Sequence, residues 1–350
     1  MRPEGRAGAA ALLAALAVGL SAGCIDDPVE YGTYNVLIAE LSLAWNTVDR
    51  HYVGFGQAGA DWDQSWETAK AKMDTVVSTR GLGRVLEQML GELDDPGVSA
   101  GGYRSGASGR GGRLSTAPNV DSTVLAAYLD SLGFQQIQAG WGYCMVADST
   151  VPLFVITGWS GFSWGIFDQH FDSLKTAPGM VIDIRMAPSS EYSFLASMPK
   201  LIANRFADEV RAGYFRQYRT GSDREELCEP LPCIIHPRGG FTGPTLILAG
   251  PQNARLSERF VSMMGSLPHV TLAGDTTAGN ADPASIYLLE TGHIAFPDTA
   301  ILAWDSLRIH RNGLAADVVV PAGPEDFAQG VDPVLEYALD WAESPSTTGR

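Results

Sequence analysis

Between positions 34 and 93, apolar residues return every third or fourth place in three successive stretches. Leu37, Leu41, Trp45, Val48 and Tyr52 mark the first, and Trp62, Trp66, Ala69 and Met73 the second. Leu82, Val85, Leu86, Met89, Leu90 and Leu93 mark the third. A period of 3.6 residues gathers each set on one face, so the spacing predicts three amphipathic helices. The turn signal "GQAGAD" and the other short connections make the helices neighbours, and residues 34–98 are expected to form a small helical bundle. Its tryptophans are expected to pack in the core rather than line a ligand cage.

From about residue 120 the pattern becomes short apolar runs alternating with helical ones. "VPLFVIT", "GMVIDIR" and "TLILAG" are compact, rich in β-branched residues and bounded by Gly or Pro, as buried strands are. "FDQHFDSLK", "YSFLASMPKLIANRFADEV" and "SERFVSMMGSL" have helical periodicity between them. A strand-rich stretch runs from "ASIYLLETGH" to "ADVVVP", and a last helix over "DPVLEYALDWAE" is started by Asp332 and Pro333. Alternating strand and helix predicts an α/β core over 120–345, with a tail at 346–350. The segment 99–119 is Gly/Ser-rich and reads as a linker; its three arginines also fit an RGG-like segment, a weaker reading in an acidic, exported chain.

Composition narrows the function classes. Twenty-four Lys+Arg against forty Asp+Glu leave a net charge of −16, and no basic stripe interleaved with aromatics offsets it, so nucleic acid is not an expected partner. The N-terminus has Arg2 and Arg6, a short apolar run and then small residues up to Cys24, the layout of a secretory signal over 1–23. "LSAGC" resembles the lipobox of bacterial lipoproteins. That resemblance implies an acyl chain on Cys24, residues 24–33 as a tether, and a protein exported from a bacterial cytoplasm and held at the envelope membrane through lipid. An ordinary cleaved signal with an incidental cysteine is the alternative. In an oxidising compartment Cys228 and Cys233 of "CEPLPC" are expected to form a disulfide, leaving Cys144 free. Zinc is the rival for that pair, but no histidine stands at zinc-site spacing, and neither a metal nor a cofactor is expected. Asp94 and Asp95, adjacent in a loop, are expected to be solvated.

The order of segments resembles the tail-specific, or C-terminal-processing, serine peptidases, in the branch that carries the tricorn-protease core. "LAWNTVDRHYVGF", "LEQMLGELDD", "FDSLKTAPGMVIDIR", "GPTLILAGPQN", "SERFVSMMGSLPHVTLAGDTTAG" and "NGLAADVVVP" occur in the family's order across residues 35–345. The resemblance implies a crotonase-like β/α spiral core preceded by the helical bundle, with no room for a PDZ domain between them.

The family's chemistry joins a nucleophilic serine, a base and N–H donors aimed at the developing oxyanion. Anchored on "ERF", the serine's position three residues before Glu258 holds Arg255. The base histidine of "L-x-D-x-H" falls on Gly97, the glutamate that orients it falls on His310, and the lysine used by other members falls on Asn280. After "VIDIR" the family's N-x-G-G becomes "MAPSS", which places Ser189 and Ser190 in the oxyanion region. Ser257 is the alternative nucleophile. It stands about 200° around a helix from Arg255, and its plainer role is a helix cap.

Arginine has no nucleophilic lone pair, so the expectation is an exported, lipid-anchored peptidase-like protein without hydrolytic activity. Arg255 then offers a donor fork for the terminal carboxylate of a peptide or protein, or it pairs with a nearby acid in a structural module. An active endopeptidase rearranged around Ser257 is the alternative function.

Overall fold

The computed structural model describes residues 34–102, 117–160, 163–187 and 197–344. The expectations for the signal segment with Cys24, the tether, residues 103–116 of the linker, Ser189 and Ser190, and the tail fall outside the described residues.

Each of the three apolar stripes is a helix: α1 (Tyr34–His51), α3 (Trp62–Lys72) and α4 (Thr79–Gly91), with the one-turn α2 (Phe55–Ala58) between the first two. Their starts are capped locally. The Asp61 carboxylate accepts the Gln64 amide at 3.0 Å and the Ser78 hydroxyl accepts that of Gly81 at 3.2 Å, each satisfying a donor that a helix leaves unpaired. Trp45 stacks on Trp62 with ring centroids 6.2 Å apart and meets Trp66 at 5.8 Å, so the tryptophans pack against one another.

The helices do not close their core alone. Ser99–Gly101, expected to open the linker, is a strand, β1, which pairs with β11 (His293–Pro297), and β11 pairs in turn with β10 (Ala284–Leu288). Ile294 and Phe296 of this hairpin are buried with Leu41, Val48, Leu86 and Met89. Three helix stripes are wider than three helices can cover among themselves, and the far end of the chain supplies the missing wall. The boundary drawn from sequence between a bundle ending at 98 and a core beginning at 120 is corrected accordingly.

The second layer system is a seven-stranded sheet in the order β13-β9-β8-β5-β4-β3-β2. β4 (Val151–Ile156), β5 (Met180–Asp183), β8 (Thr245–Ala249), β9 (Val270–Gly274) and β13 (Val318–Val319) run parallel. β3 (Trp141–Val146) and β2 (Gln135–Gln138) are antiparallel at one edge. Both faces are covered, which is why the central strands read as unbroken apolar runs. Phe154, Ile182 and Ile247 point to α6 (Trp164–Leu174), α7 (Ser197–Phe206) and α8 (Leu256–Gly265), whereas Leu153, Val181 and Leu246 point to α5 (Ser122–Ser131) and α10 (Pro333–Glu343). Asp332 caps α10 by accepting the Leu335 amide at 3.0 Å, with Pro333 in the first turn, as its sequence predicts. One-turn α9 (Pro324–Ala328) precedes it.

A three-stranded sheet, β12 (Ala300–Ala303), β6 (Arg211–Gln217) and β7 (Leu231–Ile235), lies beside α8. Here the expected disulfide is not formed, and Cys228 and Cys233 are free thiols. "EPLP" does not turn. It continues alongside β6, from the Leu227–Arg219 bridge to Cys233 opposite Tyr214. Five residues of extended chain span roughly 16 Å, well beyond the Cα separation a disulfide tolerates.

Candidate functional site

The site region is assembled where α8 begins. Arg255 is its N-cap residue, with φ 54° and ψ −113°. A non-glycine residue at positive φ is strained, and such strain persists only where the surroundings over-determine it. They do so here from both sides. The Arg255 amide donates to the Asn280 carbonyl at 2.8 Å, and one turn later Glu258 grips the same loop. The Glu258 carboxylate accepts the Thr277 hydroxyl at 2.6 Å, the Gly279 amide at 2.6 Å and the Asn280 amide at 2.8 Å. Burial pushes the Glu258 carboxyl up to about 7, against the pull of these donors. "SERF" and "GDTTAGN" therefore meet because a glutamate in the first helical turn satisfies a loop's amides.

That loop touches the next one. Gly279 has φ +72°, and a Cβ there would lie 2.9 Å from the carbonyl carbon of Arg311, so this position needs glycine. The Arg311 amide donates to the Gly279 carbonyl at 2.7 Å, and the Arg311 guanidinium donates to the Leu93 and Asp94 carbonyls at 3.0 and 2.9 Å. Through these contacts the addresses at 97, 255 and 310 come into one neighbourhood.

His310 is 1% exposed and lies between two buried aspartates. Its Nε2 is 3.3 Å from Asp95 Oδ2 and its Nδ1 is 3.9 Å from Asp282 Oδ2. Neither ring nitrogen makes a well-formed hydrogen bond. Asp95 also accepts the Tyr52 hydroxyl at 2.7 Å and the Gly97 amide at 2.7 Å. Asp282 accepts the Ile301 amide at 2.7 Å and the Arg308 guanidinium at 2.5 Å. The two carboxyls are driven apart. Burial acts to raise Asp95, but His310, Tyr52 and the Gly97 amide outweigh it and hold it below the usual carboxylate value. For Asp282 burial wins over Arg308 and His310 and raises it.

The solvated Asp94–Asp95 pair is thus corrected in one half: Asp94 is exposed and Asp95 is buried. Its cover comes from Tyr52, 43 positions earlier, and from His310, neither of which is near it in sequence. The one local signal was the polar tip of Tyr52, which had to find a partner once its stripe was buried. Asp282 carried no sequence signal.

Gly97 is enclosed. A Cβ there would stand 2.7 Å from Pro297 Cγ, so the base address cannot take a side chain without displacing that ring. Ser257 does not cap α8, which has no side-chain cap. It is fully buried on the sheet side, where its hydroxyl accepts Trp159 Nε1 at 2.9 Å and donates to the Ala187 carbonyl at 3.3 Å. Neither partner is a base.

A second polar cluster explains "VIDIR". All five N–H groups of the Arg185 guanidinium are used, on Asp183, on Asp332 at 2.8 and 3.0 Å, and on the Asn119 carbonyl at 3.0 Å. This ties the end of β5 to the start of α10. Among the described residues no group of three His, Cys, Asp or Glu side chains is placed to hold a metal ion.

No family model matches the sequence, and no curated protein matches it. Solved structures do match. A candidate peptidase from Parabacteroides merdae superposes with a TM-score of 0.78 at 20% identity, over 90% of this chain and 99% of that one. The photosystem II D1 C-terminal processing protease gives 0.58 at 15%, over 89% and 98%. The tricorn protease gives 0.55 at 14%, over 88% of this chain and 36% of that one. The chain has the fold of these peptidases.

Proposed function

We propose that the chain is a tail-specific serine peptidase homologue, with a crotonase-like β/α spiral core behind a helical bundle, that does not hydrolyse peptides and instead binds them. The observation that carries this reading is Arg255. It is a permanent cation at a strained helix N-cap, where the family resemblance expects the nucleophile. Helix-start amides and a guanidinium both favour an anion, and a peptide's terminal carboxylate is the anion this fold would meet. The sealed position at Gly97 and the burial of His310 support the loss of hydrolysis, because a nucleophile without a positioned base returns little activity. The protein is further proposed to be exported and held at the envelope membrane by lipid on Cys24, so that Cys24→Ser would move it from the membrane to the soluble fraction.

Calorimetry with a pool of unstructured peptides and their amidated counterparts tests the binding. Free C-termini should bind at least tenfold tighter, and Arg255→Ala should abolish the difference. Equal affinity for both pools removes the carboxylate reading. Peptide turnover by the wild-type chain that disappears in Ser257→Ala would establish a working endopeptidase instead.

A further inference from the structure

A cavity of about 180 Å³ lies between α5 and the antiparallel edge of the large sheet. Its walls are Leu125 and Leu129 of α5, Phe134, Trp141, Val155 and Met186. Among the described residues no charged one lines it, although the chain as a whole carries a net charge of −16. The Trp141 indole packs on the other face of the sheet against Phe154 and Phe167, its Nε1 donating to Gln138 Oε1 at 2.9 Å, so it adds no polar group to the cavity. Phe134 can lie across β3 only because residue 142 is glycine, where a Cβ would meet the tip of the Phe134 ring at 2.5 Å. The mouth is formed by exposed Ser122, Ala126, Gln136 and Thr157. Thr157 follows directly on β4, the strand at which the sheet changes from parallel to antiparallel pairing.

Small-molecule sites are concave and lined mainly by apolar side chains, and an apolar space of roughly 150 Å³ is enough for a benzene ring. We propose that this cavity is a binding site for one uncharged apolar ring, about the size of a methyl-substituted benzene. The apolar walls disfavour an ion because they offer no partner for a charge. The volume admits one ring. Met186, flexible and half-buried, is the wall that adjusts to it. This inference does not rest on the peptide-binding reading.

The probe is toluene, followed by the methyl resonances of Leu125, Leu129, Val155 and Met186 in the full chain. Saturable shifts confined to those methyls are expected. Ala126→Trp fills the cavity from its exposed rim and should weaken toluene at least tenfold while leaving the unfolding midpoint unchanged or higher. Val155→Phe fills it from the floor and should do the same, which covers a failure of the first variant to fold. N-acetylphenylalanine amide separates the two sources of such a ring. Tighter binding of toluene marks a free small molecule, and tighter binding of the amide marks a side chain carried on a peptide. Absence of saturation with either compound, or toluene shifts that persist in both variants, overturns the site.

Discussion

Arg185 and His310 are each about 1% exposed and each lies between two buried aspartates, but only Arg185 has every polar hydrogen placed. The planar fork of Arg185 matches the carboxylates of Asp183 and Asp332 bidentately, and the Asn119 carbonyl takes the remaining donor. His310 is offered two carboxylates at 3.3 and 3.9 Å and bonds well to neither, while Tyr52, Gly97, Ile301 and Arg308 satisfy those carboxylates instead. The first cluster is a finished staple between β5 and α10. The second carries leftover bonding capacity in the same neighbourhood as the strained N-cap at Arg255 and the raised carboxyl of Glu258. Polar groups that are fully paired specify a fold, whereas incompletely paired ones mark places whose residue types were chosen for something other than packing.

The strongest test of that contrast is to remove the two central side chains in turn. Arg185→Met leaves two uncompensated buried carboxylates and should cost about 3–5 kcal/mol of stability in urea unfolding. His310→Gln should cost under about 2 kcal/mol, the scale of imperfect hydrogen bonds. Equal losses would erase the distinction between the clusters.

The next effect is on pH dependence. Glu258 is raised above its unfolded value, to about 7. Its contribution is therefore fully present below the unfolded value near 4.3 and is lost as pH rises towards 7, where the unfolded chain has released the proton and the folded one still holds it. Stability should fall by about 3 kcal/mol across that window from this group alone, and Glu258→Gln should flatten the curve there. Asp95 has the opposite sign: its folded value is depressed, so its contribution is present at neutral pH and is lost only in acid. A slope in Glu258→Gln as steep as in the wild type would mean that the carboxyl is not strained by burial.

The smallest effect should come from the cap itself. Arg255→Gly removes the cost of a side chain at φ 54° and should stabilise the protein by about 1 kcal/mol while weakening peptide binding. Destabilisation would mean that the contacts of the guanidinium within the fold outweigh the cost of its backbone strain.

Much of the scaffold was legible in sequence because its signals are local. The stripes from Leu37 to Leu93, the caps of the helices they form, and the apolar runs at Val151, Met180 and Thr245 act over one or two turns or a few strand residues, where 3.6- and 2-residue periods are written directly in residue order. The ordered series from "VIDIR" to "GDTTAG" likewise pointed to the peptidase-like fold that the solved structures share. The site was legible only as addresses. That Gly97, Arg255 and His310 occupy one neighbourhood follows from their places in that series, but the state of each depends on cover from elsewhere: Pro297 over Gly97, Tyr52 over Asp95, Trp159 over Ser257.

By itself, then, the sequence determined the helices, the buried strands, their alternation and the residue types at the site. Tertiary structure alone decided that the helical core is finished by the β10–β11 hairpin, that Cys228 and Cys233 run apart along an extended strand, and that Asp95 and Asp282 are buried on either side of His310. The physical reason is range. Periodicity and capping are properties of neighbours in the chain, whereas burial, and with it the charge state of a carboxylate or the reach of a thiol, is set by residues that only the completed fold brings near.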